Sequence, residues 1–309
     1  MTTITAKIIA DSISSEGHRL TTMQLRYPRW IHAELMTHRQ FSRNASSSRA
    51  IPVVRMIQDV LDDPAVPMFW GANQKGMQAG EECTTPIYLE GACHFDMMDR
   101  RYDPISREKA WLWAMKQAIA TAEAFDKAGY HKQIVNRLLE PFSHINVVVT
   151  ATEWSNFFAL RRHKDAEPHI NLLANRMFDA MAASEPNELQ PRHWHTPYVA
   201  DNDKDIWDYS LKHDLDLQDV AIKCSVARCA RVSYLTHEGK RPVVADDLSL
   251  YDRLIGGEVL HASPTEHQAK PDRRIKGSKP YEKVWEEPSE HGNFVGWRQY
   301  RKTIPGECL

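Results

Sequence analysis

The chain has 309 residues and a net charge near −2, with 42% hydrophobic and 26% charged residues, a balance ordinary for a soluble globular protein of one large domain or two smaller ones. So small a net charge excludes a global field that holds nucleic acid, and an anionic ligand needs a local cluster of cations instead. No apolar run approaches transmembrane length and the N-terminus lacks a signal-peptide pattern, which points to a cytoplasmic protein with no membrane partner and with its five cysteines reduced.

Residues 4–13 (ITAKIIADSI) and 19–27 (RLTTMQLRY) alternate as strands, with Gly17 between them, and read as a hairpin ended by Pro28. RWIHAELMTHRQF then reads as a short helix that delivers the polar segment THRQFSRNASSSR as a helix end and loop. Residues 52–105 read as irregular, a long ordered insertion in which Met68, Phe69 and Trp70 need burial. Trp111, Met115, Ile119, Ala122 and Phe125 recur at helical spacing within 106–141. A second helical block spans 152–182 and should be kinked or divided at Pro168.

Residues 184–205 read as a loop around QPRHWHTPY, part of a second insertion at 184–216. His193 and His195 could share one face of a strand, but no paired carboxylates complete a metal site. Helices follow at 217–235 and 246–255, the second stopped by a Gly pair. Cys224 and Cys229 on the first of these read as core packing. In HASPTEH, Ser263 suits an N-cap, Pro264 a first helical position and Glu266 the capping-box partner, a helix N-terminus suited to phosphate.

Five stretches gather arginines and hydroxyls: THRQFSRNASSSR, NRLLEP, NFFALRR, ARVSY and HASPTEH. Together they resemble the flavin-dependent thymidylate synthase family. Thr37-His38-Arg39, seven residues, Ser47 and then Arg49 resemble its Arg-His-Arg signature, with Ser42 and Asn44 also in place. Asn136 to Pro141 resembles its Ala-Arg-x-x-Leu-Pro segment, and Asn156 to Arg161 its Asn-Phe-x-x-Leu-Arg helix. Ala166 to Ile170 loosely echoes its Ala-Gln-x-Glu-Ile. Ala230 to Tyr234 and His261 to His267 resemble segments that come first in the family, so the order is rearranged as in a circular permutation.

The resemblance implies an α+β fold, an antiparallel sheet with long helices in a single domain over 1–309. It implies FAD-dependent reductive methylation of dUMP to dTMP, with methylenetetrahydrofolate and NADPH as co-substrates, in a homotetramer. A deoxypyrimidine monophosphate would meet Ser46, Ser47, Ser48, Arg49, Arg137, Arg161 and Glu34, with Arg161 and Ser47 as candidate catalytic residues. FAD would meet His38, Arg39, Asn44, Asn156, Ser233, His261, Ser263 and Glu266. No metal is implied. Thr37, Ala45, Glu34, Thr150, Thr152 and Asp165 depart from the family pattern. Glu34 replaces a glutamine, and a carboxylate accepts from an exocyclic amine where a ring carbonyl needs a donor. That leaves dCMP as an alternative substrate and a hydroxymethyl group as an alternative product. A non-catalytic nucleotide-binding relative is the other reading.

Overall fold

A computed structural model describes residues 3–307 apart from 77, 79, 92–94, 97–100, 201, 233–239, 278 and 280, with only the backbone of 95, 96, 101 and 102. The chain opens with β1 (Thr5–Ser14) and β2 (Arg19–Pro28), joined by the expected hairpin. Gly17 adopts φ +84°, which a side chain disfavours. A 3-10 turn at Arg29–Ile31 leads into α1 (His32–Met36), which is shorter than the sequence pattern suggested. The polar segment is not only loop, because Ser42–Ala45 forms β3.

The first insertion is not wholly irregular. It contains α2 (Val53–Asp62), whose Val53, Met56 and Val60 are buried, and a small pair β4 (Phe95–Asp96) and β5 (Arg101–Tyr102). Met68 is exposed, while Phe69 and Trp70 are half-buried, so the expected burial is partial. α3 (Arg107–Lys127) is N-capped by Ser106 and followed by Gly129 at φ +87°. α4 (Lys132–Val135) then gives way to two 3-10 turns at Asn136–Leu138 and Glu140–Phe142.

β6 (His144–Ala151) is a buried strand that the sequence pattern did not single out. α5 (Ser155–Arg161) and α6 (Pro168–Ala182) are separate, with Pro168 at the start of the second, as its missing N–H allows. The second insertion is also ordered: it holds β7 (Asn187–Leu189) and α7 (Lys204–His213). α8 (Leu217–Arg231) and α9 (Val244–Ile255) come next, the latter ending at Gly256.

HASPTEH departs from its expected form. Ser263–Glu266 is a four-residue 3-10 turn whose cap position is Ala262, with no side-chain cap, so no helix N-terminus is offered there. Short pairs follow: β8 (Ala269–Pro271), β9 (Arg274–Lys276), β10 (Lys283–Trp285) and β11 (Trp297–Gln299).

One five-stranded sheet organises the site, in the order β3-β6-β2-β1-β7, antiparallel except for β7 against β1. Period-two alternation gives it two unlike faces. Met23, Leu25 and Tyr27 with Ile145, Val147 and Val149 form an apolar face, covered by Leu35, Phe157, Ile170, Leu173 and Met177. The opposite face carries Thr22, Gln24, Thr150, Ser42 and Asn44, and the chain after residue 190 covers it. There Tyr198 Oη donates to Gln24 Oε1 at 3.0 Å, and Gln299 Nε2 donates to Ser42 Oγ at 3.3 Å. A second core joins α2 to α3 and the turns that follow it, through Val60, Met115, Ile119 and Leu139. Cys224 and Cys229 are buried, and burial pushes both thiols up, Cys224 to about 12.

Candidate active site

The sheet's apolar face ends in a cleft of about 510 Å³ between the turn after α1 and the start of α5. Thr37, His38, Arg39, Asn156 and Arg161 line it, so two motifs more than a hundred positions apart in sequence meet here. α1 is short because residues 37–41 turn sharply; Thr37 Oγ1 donates to Glu34 O at 2.7 Å and His38 N to Leu35 O at 3.2 Å. His38 is buried, its ring parallel to Phe41 at 5.9 Å and edge-on to Phe157 at 4.8 Å.

Arg161 is the hub. Its Nε donates to His38 Nε2 at 2.9 Å, and Nη1 donates to Glu34 Oε2 at 3.1 Å. An imidazole that accepts from a guanidinium is neutral, and burial followed by the Arg161 charge lowers the His38 pKa accordingly. Burial raises the Glu34 pKa, assisted by nearby Glu167; Arg161 opposes the shift without cancelling it. Glu34 is thus a carboxylate set on the Arg161 guanidinium at the edge of the cleft.

Arg39 and Asn156 are exposed at the cleft and make no side-chain hydrogen bond or ion pair among the described residues. Ser263 and His261 are likewise exposed, their side chains without a polar partner among the described residues. These unspent donors fit a flavin, which presents phosphates and a polar ring edge.

The expected phosphate group separates from this cleft. Ser48 is buried and its Oγ donates to Glu140 Oε1 at 2.7 Å, and Arg137 reaches the same carboxylate at 3.4 Å. Ser46 Oγ accepts from Asn146 N at 3.2 Å, and Ser47 Oγ from Arg49 N at 3.3 Å. Ser47 and Arg49 are exposed and, unlike Ser48, open to a ligand; Arg137 is also exposed but paired with Glu140. Asn136 Nδ2 fixes the loop by donating to Ser48 O at 2.7 Å and Ile51 O at 3.0 Å.

A third group forms where the late segment HASPTEH folds back on β3. His267 Nε2 lies 3.4 Å from the Asn44 side-chain amide, and the amide nitrogen faces Ser263 O at 3.1 Å. Glu266 is spent on an ion pair with Arg301. Arg231 is paired with Asp247 at the buried end of α8, and Val232 adopts φ +56°; Ser233 and Tyr234 lie outside the described residues. Glu153 and Leu160 also line the cleft; Leu160 belongs to the Asn-Phe-x-x-Leu-Arg motif, whereas nothing in the sequence marked Glu153. A larger cleft of about 950 Å³ lies at the second insertion, walled by Trp194 and Trp207; His193 lines it, but none of the residues expected to meet substrate or flavin does.

The sequence model of the thymidylate synthase complementing protein family matches residues 14–187, more than half of the chain and all three motifs of the cleft and loop. The chain belongs to this family. A member of the thymidylate synthase complementing family is a flavin-dependent thymidylate synthase-like methyltransferase, and so is this protein. The segments at 230–234 and 261–267 lie beyond the match, yet the second of them packs on the matched strand β3.

Comparison with curated proteins gives no match. Among solved structures, the UMP/dUMP methylase PolB from Streptomyces cacaoi bound with 5-Br UMP is 17% identical, covering 59% of this chain and 90% of that chain at a TM-score of 0.38. The flavin-dependent thymidylate synthase ThyX from Helicobacter pylori complexed with FAD and dUMP is 15% identical, covering 53% and 68% at 0.33. Among the described residues of this family member, no helix is long and apolar enough to cross a membrane.

Proposed function

We propose that the protein carries out FAD-dependent reductive methylation of dUMP to dTMP, drawing the one-carbon unit from methylenetetrahydrofolate and reducing equivalents from NADPH. The observation that carries this reading is the meeting of Arg161 with His38 in a cleft that also presents Arg39 and Asn156. Bound reduced FAD would supply hydride to the pyrimidine ring. The chain's residues supply the rest. Arg161 stabilises negative charge on a pyrimidine carbonyl as hydride arrives; neutral His38 holds the guanidinium at Nε, while Glu34 and Thr37 hold its Nη1 and Nη2 at the cleft. Arg39 and Asn156 hold the flavin on one side, with Asn44, Ser263 and His261 on another. Ser47, Arg49 and Arg137 take the nucleotide phosphate. The exposed placement of these donors supports a site completed by other subunits of a homotetramer.

A second reading within the same chemistry is favoured by the Glu34 contact. With Glu34 in place of an amide beside Arg161, the pocket has an acceptor for the exocyclic amine of cytosine. The deciding experiment is mass spectrometry of products from purified protein given FAD, NADPH, methylenetetrahydrofolate and equal dUMP and dCMP. Thymidylate alone supports the first reading; a methylated or hydroxymethylated cytidine product supports the second. No product and no flavin retained sinks both.

A further inference from the structure

The polar face of the sheet carries a line of groups that the site described above leaves unused. Ser12, Thr22, Thr150 and Asn44 belong to β1, β2, β6 and β3, while His195 and His267 are laid over them by the C-terminal part of the chain. Ser12 Oγ is 2.8 Å from His195 Nδ1, and His195 Nε2 is 2.7 Å from Thr22 Oγ1. Thr22 Oγ1 is 2.7 Å from Thr150 Oγ1, which is 2.8 Å from His267 Nδ1. His267 Nε2 closes the line 3.4 Å from the Asn44 amide. Every member before Asn44 is buried, and burial keeps both imidazoles neutral at ordinary pH.

Each hydroxyl and each neutral imidazole has one proton to give, so fixing the direction at one end fixes it throughout. Asn44 fixes it. Its amide nitrogen faces the carbonyl oxygens of Arg43 at 2.9 Å and Ser263 at 3.1 Å, and a carbonyl only accepts. The His267 nitrogen beside that amide group must then carry a lone pair, which puts the His267 proton on Nδ1. Nδ1–H donates to Thr150, Thr150 to Thr22 and Thr22 to His195 Nε2. His195 in turn carries its proton on Nδ1 and donates to Ser12. Reversing the line would set an Nε2–H against the amide N–H groups.

We propose that His267 is a positioning residue for Asn44, held as the Nδ1–H tautomer by the line of hydrogen bonds through Thr150, Thr22 and His195. Asn44 thereby keeps its amide nitrogen inward and presents its carbonyl oxygen outward as an acceptor for an N–H of the flavin ring. This last step rests on the reading of Asn44 as a flavin contact; the tautomers do not.

The test uses the full-length protein labelled with 15N-histidine, with long-range 1H–15N correlations reporting which ring nitrogen is protonated. Both His195 and His267 are expected neutral with the proton on Nδ1, with or without FAD. Thr150→Val cuts the line. It should give His267 mixed tautomers and weaken FAD binding about tenfold, the worth of one oriented hydrogen bond. Thr150→Ser should restore both. An Nε2–H or protonated His267 in the unaltered protein overturns the proposal without any variant, and so does a Thr150→Val spectrum with unchanged tautomers. Mixed tautomers with unchanged FAD binding uphold the hydrogen-bond line and overturn the flavin contact of Asn44. If the unaltered protein binds no FAD at all, the functional reading fails while the tautomer result stands.

Discussion

At the scale of single residues, the site turns on what Arg161 is permitted to touch. Glu34 occupies Nη1 at 3.1 Å, and burial together with Glu167 raises the Glu34 pKa despite that cation. Glu34→Gln removes the carboxylate and offers an amide N–H, a donor suited to a uracil carbonyl. The uracil-to-cytosine ratio of kcat/KM should rise about tenfold, the worth of one polar group correctly or wrongly paired. Competition between dUMP and dCMP measures it, and an unchanged ratio removes Glu34 from substrate choice. Arg49 makes a different contribution. It is exposed and without an ion partner among the described residues, in a loop tethered apart from the cleft by Asn136 and Ser48. Arg49→Ala should therefore weaken nucleotide binding by about 1.5–3 kcal/mol, the range for a charge-assisted hydrogen bond, and leave FAD retention intact. Calorimetric titration with each ligand separates the two, and joint loss refutes the division. Arg39, His38, Asn156 and Arg161 were legible as a group because they stand in recognisable spacings. Glu153 was not, since only the packing of α5 against the turn after α1 brings it to the cleft.

At the scale of elements, what the sequence reading missed has identifiable physical causes. β6 is an apolar run between helical blocks, and a strand covered on both faces lacks the alternation that marks a half-buried one. β3 was read as loop because Ser42, Arg43 and Asn44 are polar; it is an edge strand whose Ser42 and Asn44 serve the polar face while Arg43 points the other way and donates to Met36 O and His38 O. α2 was legible in principle, since Val53, Met56 and Val60 recur at three and four residues, but it sits among turn formers that dominated the reading. Its packing predicts that Met56→Ala, which empties a nearly fully buried position against α3, lowers stability by about 2–5 kcal/mol. Denaturant unfolding measures this, and a change below 1 kcal/mol would place α2 outside the cooperative core. α7 carries the opposite opportunity. It ends at Asp214 with φ +53°, where a side chain pays a left-handed penalty. Asp214→Gly should raise stability by about 1 kcal/mol and lift the thermal midpoint by a few degrees without touching the site. A lowered midpoint would show that the Asp214 side chain stabilises the helix end by more than the strain costs.

At the scale of the whole molecule, the sheet is the frame, and its two faces are covered by different kinds of interaction. The helices of the family-matched part close the apolar face by burial, whereas the chain after residue 190 closes the other by hydrogen bonds to Thr22, Gln24, Thr150 and Ser42 as well as by packing on Leu20 and Val148. No local pattern announces such a seam, because each of its links joins residues a hundred or more positions apart. The seam makes a prediction about acid. Burial holds His195 and His267 at about 3 and His144 at about 4, against an ordinary 6.5; Asp11 on His195 and Asp63 on His144 offset burial only in part. The unfolded chain takes up protons at these histidines near pH 6.5, while the folded chain resists until pH 4 or below. Between those limits the unfolded state binds more protons, so stability falls as pH falls, each histidine costing about 2 kcal/mol by pH 5. The unfolding midpoint should therefore drop steeply from pH 7 to pH 5, with these three histidines alone contributing close to three protons taken up on unfolding at pH 5. His144→Leu should remove about a third of the part that these three histidines contribute, because His144 lies at the opposite end of β6 from Thr150 and acts independently of the seam histidines. Midpoints of the two proteins at both pH values measure the difference. Parallel shifts in the two would mean that His144 is already charged in the fold, whereas a pH-independent midpoint would mean that the seam opens to water before it titrates.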